Sequence, residues 1–600
     1  MQSVSLQEKT VKPANAAATV PQISPEPVPQ TTGEAYLGLL AARGVDYLFA
    51  NGGTDFAPIV EAYARGLRTG TRMPEPVIVP HENMGVAMMH GYTMVTGRPQ
   101  AMMVHVGMGT ANSINGIINA SRQNIPMLFT AGRTPITESG DLPGARNNYI
   151  HWAQEHFDQA GMLREFVKWD YELRHPEQVE TVVDRALAIA KSEPSGPVYL
   201  SLPREILGMP MSTRATGATT SIATAAPPAA NPAALEELTK LLAAAKNPLL
   251  ITANGGRTPE SAQALTRFAE SWAIPVVHYR PRYLAMSTEH PLAAGWDPHG
   301  PLKEADLVLV VECDVPWIPS QGGPRNDAKV VHIGADPLFA RYPLRGFRTD
   351  IAIVGLVAPT LSTLADLAQT RAPAAAALKA RGEAIAKKYT LLRNAQRSGA
   401  ASVPATLSTK YTSACLNTLI NEQCGEEAIY VNEYPLVLEE MQIRTPGRYF
   451  GSAPAGGLGW GLGAALGAKL AAKDKTVICT VGDGAYMFGN PTAAHFTARA
   501  MGLPVLFIVY NNARWAAVHR STLAMYPNGE ASRMEQPPFA TLEPSPHFEK
   551  VAEASEGLGI RVSRPEDLMP ALERGLRAVR EDKRQALINV DLEVSYVKTS

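Results

Sequence analysis

The sequence predicts an α/β protein made of three doubly wound domains, each built on a parallel sheet. Three observations lead to this class. The chain has 600 residues, more than a single hydrophobic core organises, so about three or four domains are expected. Short Val/Ile/Leu-rich runs alternate with stretches of helical composition, as they do in parallel α/β folds. Two breaks in composition then separate three such regions.

The breaks give the domain boundaries. The first is a linker of small residues and proline at 212–232, and the second is an Ala- and Lys/Arg-rich stretch at 370–409. They leave α/β domains at 33–211, 233–369 and 408–598. Residues 1–32 are rich in Pro, Gln, Ser and Thr, and we expect a flexible or surface-draped arm there.

Apolar, β-rich runs mark the predicted strands of the first two domains. Those of the first domain are VIVP (77–80), AMMVHV (101–106) and PMLFTAG (126–132). Those of the central domain are NPLLITANGG (247–256), LVLVVEC (307–313) and KVVHIGADP (329–337). The GADP that closes the last run favours a Rossmann-like topology.

The third domain contains the most informative spacing. Residues 475–481 and 503–510 are buried strands, and 491–501 has helical composition, so the unit is a βαβ crossover. Asp483 of GDG and Asn512 of NN therefore lie at the carboxyl edge of one sheet, where they offer the oxygen ligands that Mg²⁺ prefers. Gly482 and Gly484 let the backbone approach a diphosphate closely. The alternative is a strand-end turn followed by a helix cap.

Composition and charge exclude several classes of function. Hydrophobic residues make up 45% of the chain and charged residues 18%, with a formal net charge of −1, so no nucleic-acid or membrane partner is expected. No apolar run is long enough to cross a bilayer, and the first residues lack the apolar core of a signal peptide. The four cysteines have neither metal-site nor disulfide spacing, which favours a cytoplasmic location.

Several stretches resemble one family over about residues 34–598: the thiamine diphosphate enzymes of the acetolactate synthase, pyruvate oxidase and benzoylformate decarboxylase group. The stretches most similar to benzoylformate decarboxylase are FANGGTDFAPI (49–59), HVGMGTANSINGI (105–117), VKWDYE (167–172), GPVYLSLPRE (196–205), AIYVNE (428–433) and APAGGLGWGLGAALGA (453–468). The resemblance implies a pyrimidine-binding first domain, a central Rossmann-like domain and a diphosphate-binding third domain.

The resemblance also implies the cofactors and their ligands. It places Mg²⁺ on Asp483, Asn512 and the carbonyl of Arg514, beside thiamine diphosphate. The residues implied in cofactor binding are Glu82, Gly456, Leu458, Gly482, Asp483, Gly484, Ala485 and Asn512. In the family a bulky apolar side chain at the position of Leu458 bends the cofactor so that its two rings face each other; core packing is the alternative role for Leu458.

Glu82, in IVPHENMGV, follows a strand and opens a helix. By itself it would be read as an acid favoured by the helix dipole. The resemblance gives it a second role, because a carboxylate bonded to N1′ of the aminopyrimidine lets the cofactor form its reactive ylid.

Three further residues bear on substrate chemistry. His105 ends the run AMMVHV at the position of a catalytic histidine in benzoylformate decarboxylase, where acetolactate synthases carry a small hydroxyl residue. An imidazole there could relay protons, and a structural strand-end histidine is the alternative. Thr54 aligns with an active-site serine, and Gln154 with the glutamine of an acetolactate synthase motif. Here Ala153 precedes that glutamine instead of Phe.

The chain also departs from the family pattern. VECDVPWIPSQGG (311–323) lacks both a second active-site histidine and the Arg-Phe-Asp-Asp pattern that accompanies FAD, so FAD binding is not expected. Two alternatives remain for the crevice of the central domain: it is empty, or it holds ADP. The resemblance places Ala517 and Ser521 on a helix face that forms a wall of the substrate pocket in the family, and their small size implies a roomy pocket. His519 and Arg520 either meet an anionic substrate or lie on the surface.

The expected activity is Mg²⁺- and thiamine diphosphate-dependent decarboxylation of a 2-oxo acid through a C2-carbanion/enamine, with carboligation possible. An acetolactate synthase-like carboligase and a lyase acting on 2-hydroxyacyl or acyloin substrates are alternatives. A non-catalytic binding protein on this fold is a third class, and the joint presence of Glu82, Asp483 and Asn512 argues against it. The resemblance further implies a homodimer or homotetramer with active sites at subunit interfaces.

Overall fold

Three parallel sheets, each covered by helices on both faces, make up the computed structural model, and they confirm the predicted fold class. The structure describes residues 30–212, 215, 222–397, 399–400 and 402–593. Most of the predicted N-terminal arm and part of the first linker lie outside these residues. Within the described residues, every pairing between the strands of the three sheets is parallel, so the strands of each sheet present their carboxyl ends at one edge.

The first domain contains a six-stranded sheet in the order β2-β1-β3-β4-β6-β5. Its strands are β1 Tyr47–Asn51, β2 Glu75–Ile78, β3 Ala101–Val104, β4 Met127–Arg133, β5 Asp170–Glu172 and β6 Pro197–Pro203. Its helices are α1 Thr32–Ala42, α2 Ala57–Thr69, α3 Glu82–Thr96, α4 Val106–Arg122, α5 Ile150–Ala153, α6 Val179–Lys191 and α7 Arg204–Gly208.

The central domain contains five strands in the order β11-β10-β9-β7-β8. Its strands are β7 Pro248–Thr252, β8 Val276–His278, β9 Leu307–Val311, β10 Lys329–Gly334 and β11 Ile351–Val354. Its helices are α8 Pro232–Ala244, α9 Pro259–Trp272, α10 His299–Leu302, α11 Val357–Arg371 and α12 Ala375–Gln396. The Ala- and Lys/Arg-rich stretch after α11 is thus mainly the helix α12, which donates hydrogen bonds from Arg381 to the central domain.

The third domain contains six strands in the order β13-β12-β14-β15-β17-β16. Its strands are β12 Ala428–Glu433, β13 Tyr449–Gly451, β14 Thr476–Gly482, β15 Val505–Asn511, β16 Leu558–Val562 and β17 Ala586–Asp591. Its helices are α13 Thr409–Gln423, α14 Trp460–Ala471, α15 Asp483–Phe488, α16 Pro491–Ala500, α17 Ala516–Met525, α18 Phe548–Glu553 and α19 Leu568–Arg580.

The predicted strands and the βαβ unit of the third domain are present, with ends shifted by a few residues. One assignment was wrong in detail: β3 ends at Val104, and His105 is the residue that precedes α4. The difference places the imidazole in the turn between strand and helix. Within the described ranges, no helix is both long and apolar enough to cross a membrane.

Helix α3 of the first domain and helix α14 of the third cross in direct backbone contact. A Cβ on Gly91 would lie 2.1 Å from the carbonyl oxygen of Ala464, and a Cβ on Gly467 would lie 1.8 Å from that of Met88. Side chains larger than hydrogen cannot fit at these points, so glycine sets the distance between the helices. This contact fixes α3, and with it Glu82, relative to the third domain.

Candidate active site

His105 lies against a buried carboxylate at the edge of the first sheet. Strands β1 and β3 are neighbours with Asn51 opposite Val104, so the residues that follow both strands meet. His105 Nδ1 is 2.6 Å from Asp55 Oδ1, and the Asp55 side chain is only 2% exposed. This hydrogen bond is the main cause that raises the pKa of His105, while burial opposes it and the charges of Asp55 and Glu82 add to it.

A long loop, residues 134–157, brings two more polar side chains to the same place. Gln154 Nε2 lies 3.2 Å from His105 Nε2. His151, buried on the short helix α5, has its Nε2 3.4 Å from Thr54 Oγ1, and its Nδ1 accepts the N–H of Asn147. Burial, followed by the charges of Arg204 and Arg146, lowers the pKa of His151. A neutral ring bonded in this way carries its proton on Nε2 and donates it to Thr54.

Two side chains at the start of α7 hold this loop in place by bonding to the loop's backbone groups. The guanidinium of Arg204 donates to the carbonyl oxygens of Gly144 and Ala145. The carboxylate of Glu205 accepts the N–H groups of Ile136 and Thr137. Arg204 also donates to the carbonyl of Thr54. The end of strand β6 therefore positions both the loop and the turn that carries Thr54.

Glu82 is the first residue of α3, as predicted, and it is 7% exposed. Its Oε2 accepts a hydrogen bond of 3.2 Å from Asn112 on α4. The same face of α4 carries Asn115 and Asn119, three and seven residues further on, and both reach the third domain. This row of asparagines connects the Glu82 carboxylate to the turn that precedes α14.

That turn contains the predicted Gly456 and Leu458. Asn115 donates to the carbonyl of Leu458 at 3.1 Å, and Asn119 donates to the carbonyl of Gly457 at 2.8 Å and accepts its N–H at 3.1 Å. The Leu458 side chain is partly buried against the main core. Gly456 has a φ of 67°, in the left-handed region that favours glycine.

A buried carboxylate stabilises the start of α14 beside this turn. Glu433, the last residue of β12, accepts the N–H groups of Gly459 at 2.8 Å and Gly461 at 2.6 Å. Burial raises the pKa of Glu433 to about 7, although the backbone hydrogen bonds oppose the rise. Glu433 therefore stabilises the turn through these two backbone hydrogen bonds.

The predicted metal ligands form a second group at the edge of the third sheet, where Gly482 lies opposite Tyr510. Asp483 Oδ2 accepts the N–H of Arg514 at 3.3 Å, and Asn512 Oδ1 accepts the same N–H at 3.0 Å. Burial raises the pKa of Asp483 to about 6, against the backbone hydrogen bonds that lower it. The two side-chain oxygens thus converge on one turn.

The two asparagines that end β15 have different environments. Asn511 is buried and donates to Ser545 and Asn589, so it connects strands and loops inside the domain. Asn512 is less buried and lies beside Asp483. The GDG glycines also differ: the Trp515 ring would be 2.2 Å from a Cβ on Gly484, whereas a Cβ on Gly482 would meet nothing within 4 Å. Ala485 follows on α15 and is buried.

The described residues support an oxygen-preferring divalent cation at this turn. Asp483 is buried among backbone N–H groups, and a carboxylate with an adjacent amide oxygen matches the ligands of Mg²⁺. No cluster of three or more His, Cys, Asp or Glu side chains suited to a metal occurs in the part of the chain that the structure describes. A site with one carboxylate, one amide and one carbonyl, as predicted, is compatible with that finding.

The start of α3 connects the group of polar residues around His105 with the group around Asp483. His81, which precedes Glu82, has its Nδ1 3.2 Å from Asn490 Nδ2, and Asn490 lies just after α15. Thr54, His105 and Gln154 thus belong to one group and Asp483, Asn512 and Arg514 to another, with Glu82 and Leu458 between them. Ala517 and Ser521 lie exposed one turn apart on α17, where His519 is half-buried and Arg520 exposed.

Sequence reasoning missed Asp55, His151 and Glu433. Asp55 could have been found, because β1 and β3 are neighbouring parallel strands of one sheet, and the residues that follow them meet at one edge. His151 could not, since its place depends on a long loop. Glu433 stood within a stretch already singled out, AIYVNE, and its role follows from the backbone turn above it.

The sheets, the buried carboxylate at a helix start and the Asp–Asn turn together define a thiamine diphosphate type of α/β enzyme. Sequence models of the thiamine pyrophosphate enzyme N-terminal TPP binding domain, central domain and C-terminal TPP binding domain match residues 30–162, 235–364 and 433–590. The chain therefore belongs to the family of thiamine pyrophosphate enzymes, thiamine pyrophosphate being another name for thiamine diphosphate.

Its relatives include enzymes of different reactions. Benzoylformate decarboxylase of Pseudomonas aeruginosa is 27% identical over 512 residues, which cover 82% of this chain and 87% of the relative. Acetolactate synthase isozyme 3 large subunit of Escherichia coli is 25% identical over 541 residues, covering 86% and 88%. The solved thiamine diphosphate-dependent 4-hydroxybenzoylformate decarboxylase of Rhodococcus jostii RHA1 has a TM-score of 0.74 at 24% identity, covering 94% of this chain and 100% of that one, and shares the fold.

Proposed function

We propose that this chain is a thiamine diphosphate- and Mg²⁺-dependent decarboxylase of 2-oxo acids. The observation that carries the proposal is the His105–Asp55 pair, in which a buried carboxylate bonds to the imidazole and raises its pKa, with the Glu82 charge adding to the rise. We assign His105 the role of proton donor. Release of an aldehyde after loss of CO₂ requires such a donor.

Each predicted residue has a role in this proposal. Asp483, Asn512 and the carbonyl of Arg514 would hold Mg²⁺ beside the diphosphate. Leu458 would support the bound cofactor, and the Glu82 carboxylate would bind its pyrimidine ring. When bound, thiamine diphosphate supplies the electron sink that takes up the electron pair left as CO₂ departs.

The substrate end is formed by Thr54, His105 and Gln154. Because His151 donates to Thr54 Oγ1, the Thr54 hydroxyl is free to donate its own hydrogen to a substrate carboxylate. His105 then gives a proton to the product carbon. Small Ala517 and Ser521 favour a substrate larger than pyruvate.

A carboligase of the acetolactate synthase type is the second candidate, favoured by one observation. Gln154, the residue shared with that group, contacts His105 directly. If Gln154 orients a second carbonyl substrate, instead of helping His105 to deliver a proton, the product is a 2-hydroxyketone. A lyase acting on 2-hydroxyacyl or acyloin substrates would use the same residues to break the carbon–carbon bond that a carboligase forms.

We further propose at least a homodimer, and more specifically a homotetramer, with each active site at a subunit interface. Tyr149, Trp152 and Phe157 on the loop of Gln154, and Phe488 at the end of α15, are exposed apolar side chains beside the two groups of site residues. The four cysteines are all buried and free, which supports a cytoplasmic protein. Light scattering of the active protein tests the assembly, and a fully active monomer would refute it.

A substrate panel tests the activity. The purified chain with thiamine diphosphate and Mg²⁺ is offered pyruvate, branched and aromatic 2-oxo acids, and hydroxyacyl or acyloin compounds, while CO₂, aldehyde and acyloin are measured. We expect CO₂ and aldehyde from a 2-oxo acid, and their loss in Glu82→Gln. In His105→Gln aldehyde release should fall by about 10²–10⁴-fold, with a higher acyloin-to-aldehyde ratio. Parental aldehyde release in His105→Gln would overturn the decarboxylase assignment and favour the carboligase.

A further inference from the structure

Asp55 and Gln154 contact opposite nitrogens of one imidazole ring, and we propose that together they keep His105 protonated, with the transferable proton on Nε2. Asp55 is a positioning residue in this arrangement, since it acts only through His105. The inference deepens the proposed function, because it states which atom of His105 holds the proton for the product.

The Asp55 carboxylate is fully committed to the turn that carries His105. Its Oδ1 accepts from the His105 ring at 2.6 Å, and its Oδ2 accepts the N–H of Val106 at 3.2 Å. Both oxygens therefore hold consecutive residues of one turn, and the side chain is almost completely shielded from water. The charge on this carboxylate is oriented towards the ring.

The backbone at this point is strained in a way that serves the contact. Val106 has a φ of 34°, a left-handed value that is unfavourable for a β-branched residue. Strained residues of this kind persist where the surrounding contacts require them. Here the unusual φ turns the Val106 N–H onto Asp55, so the strain and the His105 contact belong to one arrangement.

Two glycines leave room for the pair. A Cβ on Gly53 would lie 2.1 Å from His105 Nδ1, and a Cβ on Gly132 would lie 1.7 Å from Asp55 Oδ2. Neither glycine has a positive φ, so the backbone accepts alanine at both positions. The three nearest atoms that a Cβ would meet belong to His105 at Gly53 and to Asp55 at Gly132. The surroundings are shaped to bring ring and carboxylate together.

Gln154 completes the arrangement on the other side of the ring. Its Nε2 lies 3.2 Å from His105 Nε2, while its Oε1 is buried without a hydrogen-bond partner among the described residues. Amide oxygen and nitrogen are interchanged by a half-turn of the amide. With both ring nitrogens protonated, that half-turn lets Oε1 accept from His105 Nε2 and gives the oxygen its missing partner.

The charges around the ring favour the same state. Asp55 and Glu82 are the acidic groups that face His105, and His151 is the neighbouring imidazole. Since the Nδ1 hydrogen is bonded to a buried carboxylate, the hydrogen on Nε2 is the one that can leave. When it leaves, Gln154 turns back and donates to Nε2, so the ring keeps a partner in both states.

A titration of His105 in the full chain tests the proposal, with thiamine diphosphate and Mg²⁺ present. Histidine ring signals are followed by NMR, and His105→Gln identifies the signal. In Asp55→Asn we expect the pKa of His105 to fall by roughly 1–3 pH units, as for loss of a close opposite charge. In Gln154→Glu it should rise, because a carboxylate then faces Nε2. Asp46→Asn, at the opposite end of β1, is the matched control and should leave the pKa unchanged.

The outcomes separate this inference from the proposed function. An unchanged pKa in Asp55→Asn, or an unchanged or lower pKa in Gln154→Glu, would overturn the arrangement. Should Asp55→Asn fail to fold, Gln154→Glu still decides, since Gln154 lies outside the hydrophobic core. The titration needs no turnover, so inactivity towards every 2-oxo acid would refute the function alone. If the enzyme is active, the acid limb of its pH profile should move with the His105 pKa in both variants.

Discussion

The backbone contact between α3 and α14 makes one substitution especially informative. In Gly91→Ala a methyl group would lie 2.1 Å from the carbonyl oxygen of Ala464. Ordinary contact begins at 3.4 Å, so the helices must part by about 1.3 Å, and neither partner is a side chain that could rotate away.

The magnitude follows from two opposing effects. Overpacking costs typically 1–3 kcal/mol, and the upper end, ~3 kcal/mol, applies because the obstructing atom is backbone. Alanine is a better helix former than glycine by ~1 kcal/mol, which offsets part of the cost. We therefore expect Gly91→Ala to be less stable than the parent by about 2 kcal/mol.

The matched control is Gly38→Ala on α1, where an added Cβ meets nothing within 4 Å. This variant should be more stable than the parent by ~0.5–1 kcal/mol, because only the helix propensity changes. Thermal unfolding by calorimetry compares the three proteins. Thiamine diphosphate affinity should fall in Gly91→Ala alone, since Glu82 moves with α3.

One result would refute this reasoning. If Gly91→Ala were stabilised as much as Gly38→Ala, the two helices would not be in the close contact described. The position of Glu82 relative to Leu458 would then have to be fixed by the asparagines of α4 alone.

Three other predictions concern the site. Asp483→Ala should abolish Mg²⁺-dependent thiamine diphosphate binding in isothermal titration while the fold is retained, and unchanged binding would contradict the metal assignment. Gly53→Ala should push the His105 ring away from Asp55 and so lower the His105 pKa, measured by NMR, with little change in unfolding temperature. Glu433, whose pKa rises from 4.5 to about 7 on folding, binds its proton more tightly in the folded state. Its contribution of about 3 kcal/mol is complete below pH 4.5 and is lost as the pH rises through 7, and urea unfolding of Glu433→Gln should lack this dependence.

More of the fold than of the candidate site could be predicted from the sequence. Buried strands such as β14 and β15 are continuous Val/Ile/Leu runs because both faces of a parallel sheet are covered, and this pattern identifies them without tertiary information. Asp483 and Asn512 could be paired by the same reasoning, because each follows a strand of one βαβ unit and the two strands end at the same edge. Strand ends were less certain, as for β3, because a turn residue such as His105 follows the same apolar run.

The contacts that decide the chemistry were harder to obtain. Asp55 follows Thr54 in an ordinary turn, and its burial depends on space left by Gly132, which comes much later in the chain. Gln154 was recognised by resemblance, but its contact with His105 depends on a loop whose path is set by Arg204. Long loops lack a periodic pattern, so their course cannot be derived from the sequence alone.

The anchoring of that loop has a consequence for how specificity can change. Arg204 and Glu205 hold it mainly by backbone carbonyl groups, which every residue offers, and by N–H groups, which every residue except proline offers. Side chains between the anchors can therefore be exchanged without loss of the loop's path, provided its length is kept. The carbonyl of His156, held by Arg133, is a further anchor of this kind. A library of substitutions at 148–150 and 152–153, between the anchors at 144–145 and 156, would vary the surface beside Thr54 and Gln154 while His151 keeps its contact with Thr54.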